Sequence, residues 1–198
     1  MKGTSGSRRD VDAPLRGSAV RAVFLVGFMG AGKTSIGREL SKYLGWRFED
    51  LDDRIRAREG RTIPEIFAQS GESAFRRSEL AALRELLEEA TSGAPLIAAL
   101  GGGAFVQPEI ASLLEPANCV TIFLDAPVEE LWRRCGADAV ERPLRRDAGE
   151  FRQLYEARRP RYLQAKKRMD TTGRQIDELA REIATYIEAA DRSSGKEK

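Results

Sequence analysis

Apolar residues along this chain gather in short unbroken runs, and between the runs they recur every three or four positions. Residues 22–26 (Ala-Val-Phe-Leu-Val), 96–100 and 120–124 are such runs, the last interrupted only by Thr121. Runs of this length bounded by Gly, Pro or acidic residues predict strands buried on both faces. Residues 47–51 predict a shorter strand that ends in acid. Helical spacing takes over elsewhere: Ile36, Leu40, Tyr43 and Leu44 share one face after the first strand. Thr62 is placed to cap a short helix carrying Ile63, Ile66 and Phe67, and Leu80, Leu83 and Leu87 stripe a longer one over about 72–90. A helix is expected from Val128 to about Arg134, and Ile176, Leu179, Ile183 and Ile187 stripe the last. Strands alternating with helices imply right-handed crossovers and a parallel sheet covered on both faces, a three-layer α/β/α fold. The expected organisation is a single domain over 21–190 without internal repeats. Residues 1–20 are rich in Gly, Ser, Arg and Asp and carry no periodicity, which predicts a disordered arm; 191–198 read as a flexible tail.

Composition narrows the chemistry. Basic and acidic residues nearly balance, 33 against 31 in 198 residues, so charge gives no reason to expect a nucleic-acid partner. Histidine is absent, which removes imidazole bases and leaves carboxylates for any proton transfer. Cys119 and Cys135 lack metal-ligand spacing; Cys119 reads as core and Cys135 as a packed or solvent-facing thiol. No stretch has the apolar length of a signal peptide or a membrane span, so the expectation is a cytoplasmic protein without membrane contact.

The strand at 22–26 runs into Gly27-Phe28-Met29-Gly30-Ala31-Gly32-Lys33-Thr34, and a helical pattern follows at once. Strand, glycine loop and helix are the context in which G-x-x-x-x-G-K-[ST] cradles phosphate: backbone N–H groups point at the oxygens and the helix N-terminus adds positive charge. Lys33 then reaches the β- and γ-phosphates, and the Thr34 hydroxyl ligates Mg²⁺. The second informative segment is Glu49-Asp50-Leu51-Asp52-Asp53, at a strand end where α/β sheets gather their ligands. One acid can serve the metal and another an acceptor hydroxyl, while Asp53 reads as a helix-start residue.

In order along the chain, the motifs resemble those of the shikimate kinase family. The resemblance rests on residues 27–37, Asp50-Leu51-Asp52, Gly71 to Arg76 with Glu79, Gly101-Gly102-Gly103, Arg142-Pro143-Leu144 and Arg158-Arg159-Pro160-Arg161-Tyr162, the last resembling an R-x-P-x-Y helix start. It implies a P-loop kinase fold with a five-stranded parallel sheet in the order 2-3-1-4-5 and a mobile lid over about 136–149. The implied activity is transfer of the ATP γ-phosphate to the 3-hydroxyl of shikimate by a monomer. Carried over residue by residue, Gly30, Ala31, Gly32, Lys33, Thr34 and Ser35 hold the ATP phosphates, and Thr34 with Asp50 holds Mg²⁺. Asp52 meets the acceptor hydroxyls. Arg76 and Arg158 grip its carboxylate, over a floor of Gly101, Gly102 and Gly103. Lys33, Asp52 and Arg142 are the implied catalytic residues, and Arg134 and Arg174 the implied adenine contacts. The lid departs from the family's pattern in placing Arg145 and Arg146 after Leu144.

The residues themselves keep rivals open. Arg outnumbers Lys severalfold here, and Arg76 beside Arg77 also fits a solvated helix face. A kinase for another small polyhydroxy acid such as gluconate, or a nucleotide-binding regulator that has lost phosphoryl transfer, would share the glycine loop.

Overall fold

A computed structural model describes residues 20–116, 118–137 and 147–194. The chain passes through β1 (Ala22–Val26), α1 (Lys33–Leu44), β2 (Arg47–Asp50), α2 (Leu51–Glu59) and α3 (Ile63–Ser92). It continues through β3 (Leu96–Ala99), α4 (Pro108–Leu113), β4 (Cys119–Asp125), α5 (Val128–Ala137), α6 (Ala148–Tyr162), β5 (Lys167–Asp170) and α7 (Ile176–Ser194). The strands form one five-stranded parallel sheet in the order β2-β3-β1-β4-β5.

Burial explains which strands the apolar pattern could name. Every residue of β1, β3 and β4 is buried, as unbroken apolar runs require when helices cover both faces. The edges are different. β2 is only partly covered, and β5 (Lys-Arg-Met-Asp) buries Met169 alone, so β5 gave no apolar signal and entered only through the family resemblance. Short, charged edge strands resist pairing with another chain.

The helices depart from expectation in instructive places. The two helices expected over 62–90 run as one element broken at Gly71, whose φ of 76° lies in the left-handed region. A full capping box starts it: Glu65 N donates to Thr62 Oγ1 while Thr62 N donates to Glu65 Oε2, at 2.7 Å. Its second half buries Phe75, Ser78, Glu79, Ala82, Leu83, Leu86 and Ala90, with Leu80 and Leu87 flanking, so the true stripe includes an acid and small residues. The segment 158–162 needs correction. It is the last turn of α6 and not a helix start; the helix begins ten residues earlier, where Asp147 accepts from Glu150 N at 2.9 Å. The weak periodicity of α6, which buries only Phe151, Tyr155 and Tyr162, hid its beginning.

Between sheet and helices lies one core, with Phe24, Phe28, Phe123, Phe151 and Tyr162 fully buried. Gly37 lets α1 lie close on the sheet, since a Cβ there would stand 2.2 Å from Phe48 Cε2 and 2.7 Å from Cδ2. Cys119 and Cys135 are both buried, and neither is in a disulfide. Among the described residues no helix is long and apolar enough to cross a membrane.

Candidate phosphoryl-transfer site

The loop after β1 is shaped by close approach. A Cβ at Gly30 would stand 2.7 Å from Leu131 O and 2.9 Å from Cys135 Sγ, and its φ of 80° disfavours any side chain. Gly32, also left-handed at φ 86°, occupies the N-cap of α1 without a side-chain cap, and no acid lies in the first turn. The first N–H groups of α1 therefore face the loop uncovered by carboxylate, as an anion site requires. Lys33 Nζ donates back to Gly27 O at 2.9 Å and Phe28 O at 3.0 Å, which folds the ammonium over the loop.

β1 and β2 are separated only by β3, so the end of β2 comes beside this loop. Thr34 Oγ1 donates to Asp50 Oδ2 at 2.8 Å, and Asp50 Oδ1 accepts from Asp52 N at 3.1 Å as the N-cap of α2. A hydroxyl and a carboxylate so placed are hard oxygen donors. Among the described residues there is no cluster of three or more His, Cys, Asp or Glu that could cage a metal by itself. The donor set fits Mg²⁺, which keeps water and takes one or two protein oxygens together with phosphates. Asp53, by contrast, is exposed and pairs with Arg56, as a helix-start residue would.

One glycine turn gathers the remaining candidates. A Cβ at Gly101 would lie 2.8 Å from Asp52 Oδ1, and one at Gly103 would lie 2.9 Å from Arg76 Nη2 and 3.0 Å from Nη1. At Gly102 the nearest atoms would be Arg158 Nη1 at 3.7 Å, then Gly27 O and Met29 N at 3.8 Å. Asp52, Arg76, Arg158 and the phosphate loop thus surround the turn that follows β3. Burial and the charge of Asp50 raise the pKa of Asp52, against the opposing pull of Lys33, Arg56 and Arg76.

Two residues outside the expected set complete this cluster. Glu79 is buried and accepts from Arg76 Nη1 at 2.8 Å and Gln107 Nε2 at 2.6 Å; Arg76 also pairs with Glu72 at 3.1 Å. Burial pushes the Glu79 carboxyl up while Arg76 pulls it down. The sequence signal was the i, i+3 spacing of Arg76 and Glu79 on a helix. Tyr162 is the second: its hydroxyl donates to Gly102 O, and burial pushes its pKa up to about 12. Arg158, one turn earlier on α6, holds its guanidinium carbon 5.9 Å from the Phe28 ring centroid.

Arg134 and Arg174 do not join this cluster. Both border the loop after β5: Arg134 donates to Thr171 Oγ1 at 3.0 Å and Thr171 O at 2.8 Å, and Arg174 N donates to Thr171 O at 3.4 Å. The Arg174 guanidinium is drawn along α7 by Glu178 and Glu182. Arg142, Arg145 and Arg146 lie outside the described residues, as does the centre of the expected lid. Its margins, Gly136–Ala137 and Ala148–Gly149, belong to α5 and α6.

A family model described as shikimate kinase matches residues 29–188. The shikimate kinase of Geobacter metallireducens is 42% identical over 174 residues, spanning 86% of this chain and 94% of its own. That of Persephonella marina is 36% identical over 169 residues, 85% of this chain and 99% of its own. The solved shikimate kinase from Acinetobacter baumannii, in complex with shikimate, superimposes with a TM-score of 0.76 at 36% identity, covering 90% of this chain and 96% of the other.

Proposed function

The chain belongs to the shikimate kinase family, and on that premise we propose that it transfers the γ-phosphoryl group of ATP to the 3-hydroxyl of shikimate at the glycine turn after β3. One observation carries the assignment: a carboxylate, Asp52, and two guanidiniums, Arg76 and Arg158, border the same turn beside the phosphate loop. A cyclic polyol carboxylate needs both, since carboxylates accept from hydroxyls and guanidinium meets a planar anion with parallel bonds.

In this reading Lys33 exchanges its bonds to Gly27 O and Phe28 O for phosphate oxygens, with the N–H groups from Gly30 to Ser35 around them. Thr34 and Asp50 would hold Mg²⁺, which when bound neutralises charge on the phosphate oxygens. Asp52 orients the acceptor hydroxyl and takes its proton late, consistent with a carboxyl whose pKa is already raised. The transition state is loose, so alignment of donor and acceptor supplies most of the acceleration. Arg142 is assigned by resemblance to the moving phosphoryl group, and Arg134 and Arg174 to the adenine. A cytoplasmic monomer is the proposed working form.

The test is ADP release from ATP and Mg²⁺ with shikimate, gluconate or no acceptor. Shikimate-dependent release far above the other two is expected. Equal turnover with gluconate, or binding of ATP without any turnover, would refute the assignment.

A further inference from the structure

Asp125 ends β4, at the corner where β4, β5 and α6 meet, and its side chain is only 4% exposed. Its Oδ2 accepts from Arg159 Nη2 at 2.7 Å and from Arg168 Nε at 2.8 Å. The Tyr155 hydroxyl lies 3.2 Å from Oδ1 and 3.1 Å from Ala126 O. A cavity of about 270 Å³ opens beside the cluster, bordered by Asp125, Tyr155, Arg159, Arg168, Asp170 and Thr172. None of these residues touches the glycine turn, and the phosphoryl transfer described above uses none of them.

A nearly buried carboxylate held by two guanidiniums is weak evidence for stability, because desolvation offsets much of the attraction. The place of its partner Arg159 on α6 is more telling. Arg159 adjoins Arg158, and the next anchor along the helix is Tyr162, bonded to Gly102 O. Between those anchors stands Pro160, which has no N–H to give the carbonyl one turn back and so weakens the helix's own ladder at this point. The last turn of α6 therefore depends on contacts from outside the helix.

We propose that Asp125 is a positioning residue for the acceptor: through Arg159 it sets the rotation and height of the last turn of α6, and so the place of Arg158. The inference rests on the reading that Arg158 grips the acceptor carboxylate. Arg168 approaches Asp125 from β5, not from α6, and has no part in aiming Arg158.

Steady-state kinetics on purified full-length variants test this, with melting temperature as a check on folding. Asp125→Asn keeps the shape but loses the charge, and Arg159→Met removes the α6 partner at a position a third exposed, where folding tolerates it. Each is expected to raise the KM for shikimate by about tenfold, the scale of a small misplacement of a binding group, with kcat and the KM for ATP nearly unchanged. Arg159→Lys, which retains one bond to Asp125, restores part of the loss, and Arg168→Ala leaves the KM for shikimate unchanged. Because Asp125 acts through Arg158, Asp125→Asn adds little to Arg158→Lys when the two are combined. Should Asp125→Asn fail to fold, Arg159→Met decides. Fully additive losses, an equal rise in both KM values, or the same rise from Arg168→Ala would overturn the proposal. An unchanged KM for shikimate in Arg158→Lys would refute the role of Arg158 itself and remove the proposal with it. A raised KM in Arg158→Lys alongside normal Asp125 and Arg159 variants would refute the positioning alone.

Discussion

Gly103→Ala isolates the acceptor site from the rest of the molecule. The backbone at Gly103 is not left-handed, so alanine is tolerated there without strain. What it meets is the Arg76 guanidinium, at 2.9 Å and 3.0 Å from its two terminal nitrogens, several tenths of an ångström inside ordinary contact. Arg76 must move. It is the far end of a flexible side chain, so the cost to folding is small, below about 1 kcal/mol, as for most changes that leave the core intact. The cost to binding is larger. Displacement takes Arg76 out of line with any carboxylate it receives from the acceptor. Losing a charge-assisted hydrogen-bond pair of this kind costs about 1.5–3 kcal/mol, or roughly ten- to a hundredfold in the KM for shikimate. Gly102→Ala is the companion, because its new methyl meets nothing closer than 3.7 Å and leaves the surrounding side chains where they are. It too should raise the KM for shikimate, since the methyl would occupy the floor on which the acceptor lies. Initial rates at varied shikimate and saturating ATP, with thermal melts of both variants, measure the effect. An unchanged KM for shikimate in both, or an equal rise in the KM for ATP, would show that the acceptor does not bind over this turn.

Lys33→Ala should abolish turnover while preserving the melting temperature, because Lys33 sits at the loop–helix junction outside the core; retention of a tenth of wild-type activity would remove the phosphate loop from the mechanism. Asp52→Asn should lower kcat by about 10²–10⁴-fold, the usual worth of a positioned general base. The same change should raise the melting temperature at neutral pH. The folded pKa of Asp52 is raised above 3.8 by burial, so the folded state holds that proton more tightly than the unfolded chain, and ionised Asp52 costs stability as pH rises through the folded value. The variant's advantage should shrink towards pH 4, and a variant less stable than wild type at pH 7 would contradict this account. Arg142→Ala should reduce kcat by about a thousandfold, the low end for a cis-acting arginine, with a much smaller change in ATP affinity by equilibrium titration.

Legibility in the sequence followed burial. β1, β3 and β4 are covered on both faces, so their composition announced them; β5 is an edge where only Met169 faces the core, and four residues of mixed charge carry no period. The reactive groups were readable for a different reason. Gly30, Lys33, Asp50 and Asp52 lie where a strand passes into a helix, and their spacing is set locally by the glycine loop and by the N-cap of α2. Arg76 shows where local pattern stops. Beside Arg77 it matched a solvated face, yet Arg77 is exposed while Arg76 is held between Glu72 and the buried Glu79. Only the packing of α3 against the loop carrying Gln107 reveals that Glu79 is interior. Pro160 misled for a related reason: proline is common in the first turn of a helix, and only α6's own length puts it in the last.

The contacts of α6 explain how such a small site can fix two substrates against each other. Phe28, in the middle of the phosphate loop, meets Phe151 and Tyr155 edge-on at 4.9 Å and 5.6 Å, and Arg158 lies over the same ring. From the far end of the same helix, Tyr162 reaches Gly102 O. One helix therefore touches the loop assigned to the donor and the turn assigned to the acceptor, and the two backbones pass close enough that a Cβ at Gly102 would stand 3.8 Å from Met29 N. These contacts are made by buried aromatic rings in close-packed surroundings, which resist small displacements far better than surface ion pairs do. In a reaction whose transition state makes few new covalent demands, the distance and angle between γ-phosphate and hydroxyl decide the rate. Phe28 against Phe151 and Tyr155, and Tyr162 against Gly102, tie both segments to α6, so on the proposed reading the charged residues exchange their present partners for ligand while the backbones around them hold their places.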